Sequence, residues 1–365
     1  MEHTNFKKRG ILDLITELFI GKEKYKENRM KREVIQRNRE IRRREIANAR
    51  NFINNLSNKN LSVKDGFSFD MSKSYDMTSV RRAKKVLSNE KYIYLKNFIE
   101  SDEFSRLSHS VAELNYLKSE CIKINDNYIH ERKELKNIIE TLGTFLSNRK
   151  DYIKNEFDSC KAGLNGEEVV NQELDIHSNL INLKNIRISD SQGNISQCDN
   201  IIISKNGIFI IEVKNYGENG KYSILVDNTG RWTAKSGRVI RAIDSPVQQN
   251  TRHLAVLNRK LKEELGFENI LSEGIISISN DVLNLINESD SLIVRPSMIY
   301  DVISNRRNFN LSEEDQLKIK NFILDNNIGE KRYPIYPVKG EFNKEFLDIM
   351  DALLLKITDA IKYLQ

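Results

Sequence analysis

The chain has 365 residues, 39% hydrophobic and 30% charged, with a net charge of +6. That is enough for two or three domains with a sizeable core, and it excludes a disordered chain. No apolar run approaches the ~18 residues of a membrane span. Met1 to Gly10 show no signal peptide. Cys121, Cys160 and Cys198 are scattered and odd in number, which argues against a disulfide frame or a zinc site and for free thiols in a reducing cytoplasm.

In chain order, Ile11, Leu14, Ile15, Leu18 and Phe19 share one helical face. They fit a short packing helix or, with the basic run that follows, a helix resting on an anionic membrane surface. Residues 22–50 read as one exposed helix, with Glu27–Lys31, Glu33–Arg37 and Glu40–Arg44 spaced four apart in the favourable order. It holds 12 Lys/Arg against 5 Asp/Glu, so it carries essentially the whole positive surplus and leaves the rest near neutral. Arg29, Lys31, Arg32, Arg37, Arg39, Arg42, Arg43 and Arg44 are therefore candidate nucleic-acid contacts. A solvated arm or an acidic partner fits the same residues. Residues 57–78 read as a linker and 79–100 as a helix. From Leu107 to Phe145 a heptad frame predicts one coiled-coil-like helix of about 60 Å. Its seam would serve a homodimer, a partner protein or a return onto helix 79–100. Gly143 and Asn125-Asp126-Asn127 are possible breaks that would make it an intramolecular hairpin instead.

At Gly163 the pattern becomes mixed α/β. A helix is expected from Gly163 to about His177, a strand over Leu180 to Ile188, and then two apolar runs, Ile201 to Ile203 and Ile208 to Ile211. Lys205-Asn206-Gly207 joins these runs as a hairpin turn. A second hairpin around Asn228-Thr229-Gly230 carries Trp232. A helix starts at Pro246; strands follow at Gly274 to Ser279 and Leu292 to Val294, then helices at 297–303 and 312–325. A final packing helix covers 342–364.

The first hairpin carries the chemistry. Asp199 opens it, and Glu212 and Lys214 close it on one face. Charges at the ends of an isoleucine-rich ribbon are costly unless paired, metal-bound or solvated. Two carboxylates suit Mg²⁺, which takes oxygen ligands and keeps its waters. A lysine two residues on reaches the same phosphate.

Gly163-x-x-Gly166-Glu167, Cys198-Asp199, Gly207 to Asn215, Trp232 and Pro246-x-x-Gln249-x-x-x-His253 together resemble the nuclease-related domain (NERD) family, itself similar to PD-(D/E)xK nucleases. The resemblance implies an α/β restriction-endonuclease-like core, a mixed sheet flanked by helices, behind a long α-helical N-terminal region. It implies Asp199, Glu212 and the Val213 carbonyl as ligands of Mg²⁺ or Mn²⁺, with Lys214 as the catalytic lysine. Glu167 would be an outer metal ligand, or else a partner of its helix dipole. Gln249 would touch substrate or Lys214, or else make a structural bond; His253 is read as structural. Two residues depart from the family pattern: Cys198 stands where the usual Pro precedes Asp199, and Ser245 where an Asn often precedes Pro246. Neither removes a metal ligand.

The expected organisation is a basic helical arm at 1–60, a helical region at 61–155, a nuclease-like domain at 156–326 and a tail with a packing helix at 327–365. The expected activity is metal-dependent hydrolysis of phosphodiester bonds, DNA favoured, in a cytoplasmic protein. The alternative is a non-catalytic protein binding nucleic acid or a partner on the same scaffold.

Overall fold

The computed structural model describes residues 21–57, 61–63, 67–69, 84–216, 222–267, 272–306, 310–335 and 344–365. The apolar-faced segment at 10–20 lies outside them. In chain order the elements are α1 (Lys22–Ser57), β1 (Leu61–Val63), β2 (Phe67–Phe69), β3 (Lys84–Val86), α2 (Ser88–Ile99), α3 (Asp102–Glu120), α4 (Ile129–Asp175) and β4 (Ile181–Ser189). Then come β5 (Ile195–Ser204), β6 (Gly207–Lys214), β7 (Tyr222–Val226), β8 (Trp232–Ser236), β9 (Val239–Ala242), α5 (Pro246–Leu265) and β10 (Ser272–Ile278). The chain ends with β11 (Asn284–Asn287), β12 (Ile293–Val294), α6 (Ile299–Ser304), α7 (Glu313–Asp325), β13 (Tyr333–Ile335) and α8 (Lys344–Leu364). It divides into two compact units, residues 1–76, 102–150 and 339–365, and residues 77–101 and 151–338.

The first unit is helical apart from β1 and β2. These pair antiparallel, Leu61 opposite Phe69, inside the stretch read as a linker. The expected single helix over 107–145 is corrected. It stops at Glu120, passes two 3-10 turns and resumes at Ile129. The Asn-Asp-Asn cluster makes the break: the Asn125 side chain accepts from Asn127 N at 2.9 Å, and Arg132 ties Ile124 O to Asp126. Gly143 sits inside α4 and breaks nothing. The result is an antiparallel hairpin, with Lys118 paired to Glu140 at 3.0 Å. Leu107, Leu114, Leu117, Cys121, Ile124, Leu135, Ile138 and Leu142 of the heptad frame are all buried. Helix α8 packs on α1 and α3 through an apolar face that includes Phe346, Leu353, Leu354, Ile357 and Ile361. Its last carbonyl, Leu364 O, accepts from Asn125 N at 3.0 Å. The seam is thus satisfied within one chain. A homodimer through it has no support, and helix 79–100 belongs to the other unit.

In the second unit, the helix expected at 79–100 begins only at Ser88, after strand β3. Glu90 reaches back to accept from Leu87 N at 3.1 Å, which fixes that start despite an apolar cap residue. The helix expected to open at Gly163 is also corrected: Gly163 and Gly166 lie inside α4. A mid-helix glycine costs about 1 kcal/mol, less than the packing gained when Val170 and Leu174, farther along the same helix, bury themselves against the sheet.

The sheet has the order β12-β10-β6-β5-β4 and is mixed: β4, β5 and β6 run antiparallel, while β6, β10 and β12 run parallel. One face packs Ile201, Ile203, Ile208 and Ile210 against Val256, Leu257 and Leu261 of α5 and Ile319 and Ile323 of α7. The other packs Ile202, Phe209, Ile211 and Ile275 against α4 and α6. Helices on both faces explain why β5 and β6 read as continuous apolar runs instead of alternating. A second sheet, β11-β7-β8-β9, packs around Trp232; its strands β9 and β11 are additions to the sequence reading.

Candidate active site

Period-two alternation puts Ile208, Ile210, Glu212 and Lys214 on the α5 face of β6. The apolar pair buries itself, and the charged pair emerges where the strand ends. Lys214 Nζ lies 2.6 Å from Glu212 Oε1 and 3.4 Å from Gln249 Oε1 on α5. His253, one helical turn on, lies with Nε2 3.5 Å from Glu212 Oε2, and its Nδ1 meets Ser196 Oγ at 2.8 Å. Asp199 Oδ2 accepts from Val213 N at 2.8 Å, which locks the two hairpin ends together. Glu167 comes from α4 on the opposite face. Gly166 permits this: a Cβ there would sit 2.7 Å from Ser279 Oγ and 3.0 Å from Asn215 Cβ, so only glycine lets the helix press on the ends of β6 and β10. Asn215 holds that contact by donating to Ala162 O at 2.9 Å.

All five sequence-derived site residues, with Val213, line one open cavity of about 670 Å³. The eight candidate contact residues of α1 are not among its lining residues. Tyr333 and Asp158 are, and the sequence reading missed both.

It also missed Asn185. This is the only non-glycine residue with positive φ among the described residues, at φ 52, and it stands in the middle of β4. The ladder passes from Lys184–Asn200 to Ile186–Cys198, leaving Asn185 and Asp199 opposite each other but unpaired. On both strands the buried alternation slips there. Leu183 is followed by Ile186 and Ile188, and Cys198 by Ile201 and Ile203, all in one core cluster. The slip turns Asp199 and Asn185 toward the cavity end, and the Asn185 side chain bonds Glu167. The signal was legible as a three-residue step in two neighbouring alternating patterns.

Residues 162–279 match the nuclease-related domain (NERD) family. The match covers about a third of the chain. An uncharacterized protein of Bacillus anthracis is 29% identical over 106 residues, 28% of this chain and 48% of that protein. The chain thus spans about half the length of that relative. No solved structure matches. Asp158, Ser159 and Tyr333 line the cavity from outside the matched stretch.

The cavity is acidic: Asp158, Glu167, Asp199 and Glu212 face a single lysine. Burial, then the neighbouring Glu212 carboxylate, pushes Asp199 up to about 8. Burial also raises Glu167 and, with Glu167 and Asp199 nearby, the Tyr333 hydroxyl. Glu212 Oε2 is buried without a hydrogen bond, and so is His253 Nε2. Cys198, beside Asp199, is pushed up to about 12 by burial and behaves as a packing residue. Among the described residues no three His, Cys, Asp or Glu side chains form a metal cluster. The available donors are Asp199 and Glu212, with Glu167 beyond them. No helix among the described residues is long and apolar enough to cross a membrane.

Proposed function

We propose that the nuclease-related domain has an endonuclease-like core that hydrolyses phosphodiester bonds in nucleic acid, DNA favoured, with Mg²⁺ or Mn²⁺. The observation that carries this reading is the pair of neighbouring carboxylates, buried Glu212 and half-buried Asp199, with Lys214 on Glu212 at the mouth of an open cavity. Two like charges in a buried site oppose each other unless a proton or a cation intervenes. Glu212 Oε2, which accepts no hydrogen bond, is a donor of the right kind for a hard cation. One or two carboxylates plus waters are a donor set that Mg²⁺ accepts. The Asp199 and Glu212 carboxylates would hold it, with the Val213 carbonyl; Glu167 would act through water. When bound, such an ion polarises the phosphodiester and lowers the pKa of water.

The chain's own groups do the rest. Lys214 supplies the one positive charge of the cavity to a phosphate oxygen. Gln249, within 3.4 Å of Lys214 Nζ, orients that ammonium. His253 and Ser196 hold Glu212 from behind. Asn185 holds Glu167. The α1 cations would contribute phosphate contacts of their own.

The test is plasmid and linear DNA incubated with the full chain, with and without Mg²⁺ or Mn²⁺, beside Asp199→Ala and Lys214→Ala. Metal-dependent cleavage is expected, falling ~10²-fold or more in each variant. Absence of cleavage on both DNA and RNA would leave the domain a binding module. Cleavage that survives both substitutions would come from a contaminant.

A further inference from the structure

The cavity presents four carboxylates and one ammonium, so a polyanion needs further donors within the same unit. The segment after α7 brings one. The sheet order leaves β4 at an edge, and residues 327 and 328 cover part of it. Ile328 N donates to Arg187 O at 2.8 Å, and Arg187 N donates to Asn327 Oδ1 at 3.2 Å. The Asn327 side chain also accepts from Gly329 N at 3.1 Å, and Gly329 takes φ 81, a left-handed turn that favours glycine. The chain then enters β13, which pairs with β3, Tyr333 opposite Val86 and Ile335 opposite Lys84. Buried Val86 and Ile335 anchor that pair. The strap so fixed places Tyr333, half-buried, in the cavity wall.

The Tyr333 hydroxyl meets the Gln197 side chain, with the Glu167 and Asp199 carboxylates nearby. Gln197 lies two residues before Asp199 on β5, so both side chains leave the strand on one face. Gln197 Oε1 is buried without a hydrogen bond, so it is the amide N–H that faces the hydroxyl. A tyrosine hydroxyl has one proton to give and lone pairs to accept with. Gln197 occupies a lone pair, and the proton remains for a group that enters the cavity. The neighbouring carboxylates are the metal-facing groups of the reading above, which leaves a substrate phosphate as the acceptor. Lys331 Nζ stands 5.2 Å from the centre of the Tyr333 ring, a cation–π contact that holds a positive charge beside the hydroxyl's own residue. Lys331 and Arg332 are exposed, and Glu330 is the one acid next to them.

We propose that the 327–335 strap is a substrate-gripping wall of the site. Tyr333 donates its hydroxyl to a nonbridging oxygen of the nucleic-acid phosphate in the cavity, and Lys331 takes the next phosphate of the same strand. This rests on the nucleic-acid reading of the domain but not on cleavage.

The test uses the full chain, with wild type beside Tyr333→Phe and Lys331→Gln, each checked for folding by circular dichroism and Tm. Cleavage of labelled DNA in Mg²⁺ or Mn²⁺ gives kcat and KM. Anisotropy of the same DNA is read across salt in Ca²⁺, with gels to confirm that it stays intact. Tyr333→Phe keeps the ring, its packing and the Lys331 contact. Its KM is expected to rise roughly tenfold or more, as for loss of a hydrogen bond to a charged group, with kcat near wild type and affinity falling in step. Lys331→Gln is expected to lower the log–log salt slope by ~0.7–0.9, one phosphate. Wild-type KM and affinity in folded Tyr333→Phe would overturn the grip and leave the tyrosine a packing residue. A fall in kcat alone would also overturn it, by assigning the hydroxyl to the chemical step. An unchanged slope in Lys331→Gln would remove Lys331 from the wall. If wild type binds without cleaving, the catalytic reading goes, and the affinity of Tyr333→Phe decides the strap by itself. If wild type binds no nucleic acid, the strap and the nucleic-acid reading fall together.

Discussion

Asn185 shows how one residue sets the site. Left-handed backbone costs an ordinary L residue about 1–2 kcal/mol, and β-branched side chains fit it worst. Asparagine tolerates it and also offers an amide to Glu167. The two roles separate by substitution. Asn185→Gly should keep the fold and lose the Glu167 bond, so cleavage falls while Tm holds. Asn185→Val should lose both, with Tm lowered by the equivalent of ~1–2 kcal/mol. Equal Tm in the two variants would show that the backbone there is not strained. Asp199 and Glu212 were legible because carboxylates at the ends of apolar strands demand a reason. Asn185 was not read out because asparagine in a strand is also what a turn or an edge contains.

At the scale of elements, the β4–β5 turn is built on one carboxylate. Asp190 accepts from the Asn194 side chain and from the amides of Asn194 and Gln192, and it pairs with Arg259 of α5. The Asn194 side-chain bond is the largest cause holding its pKa below the usual range, ahead of the backbone bonds and Arg259. A depressed folded-state pKa means stability present above the unfolded value and lost as pH falls through the folded one. Asp190→Asn should therefore lower Tm at neutral pH, with a gap from wild type that closes in acid. A gap independent of pH would remove the charge from the explanation. The long helix belongs to this scale too. Heptad spacing named eight buried positions of this hairpin, but its Tyr128 and Phe145 are only half-buried and it passed over the buried Val111, Ile139 and Leu146. It could not tell a continuous rod from a hairpin, since both bury the same stripe, and the Asn-Asp-Asn break decided it.

For the whole molecule, the one dense run of cations is the exposed α1 arm, with 12 Lys/Arg between residues 22 and 50. The arm has its own test. Arg42, Arg43 and Arg44 are exposed, so Arg42→Gln/Arg43→Gln/Arg44→Gln should leave the fold intact. The salt slope of DNA binding should drop by ~0.9 for each phosphate that the variant no longer neutralises. An unchanged slope would assign the arm to another partner. Charge counting along the sequence found the arm because twelve cations lie in one run.

Composition and local pattern alone determined the apolar hairpin, the two carboxylates and lysine at its ends, the basic arm and the packing faces of α5 and α8. Each follows from nearest-neighbour periodicity, which a linear string preserves. Only the tertiary structure decided that Gly166 lies inside a helix pressed on the sheet, that α8 closes the heptad seam, and that Tyr333 joins the cavity. Those outcomes depend on steric fit between segments far apart in the chain: Gly166 against Ser279, Asn125 against Leu364, and Tyr333 beside Glu167. Close packing sets such distances in three dimensions, and sequence spacing carries no record of them.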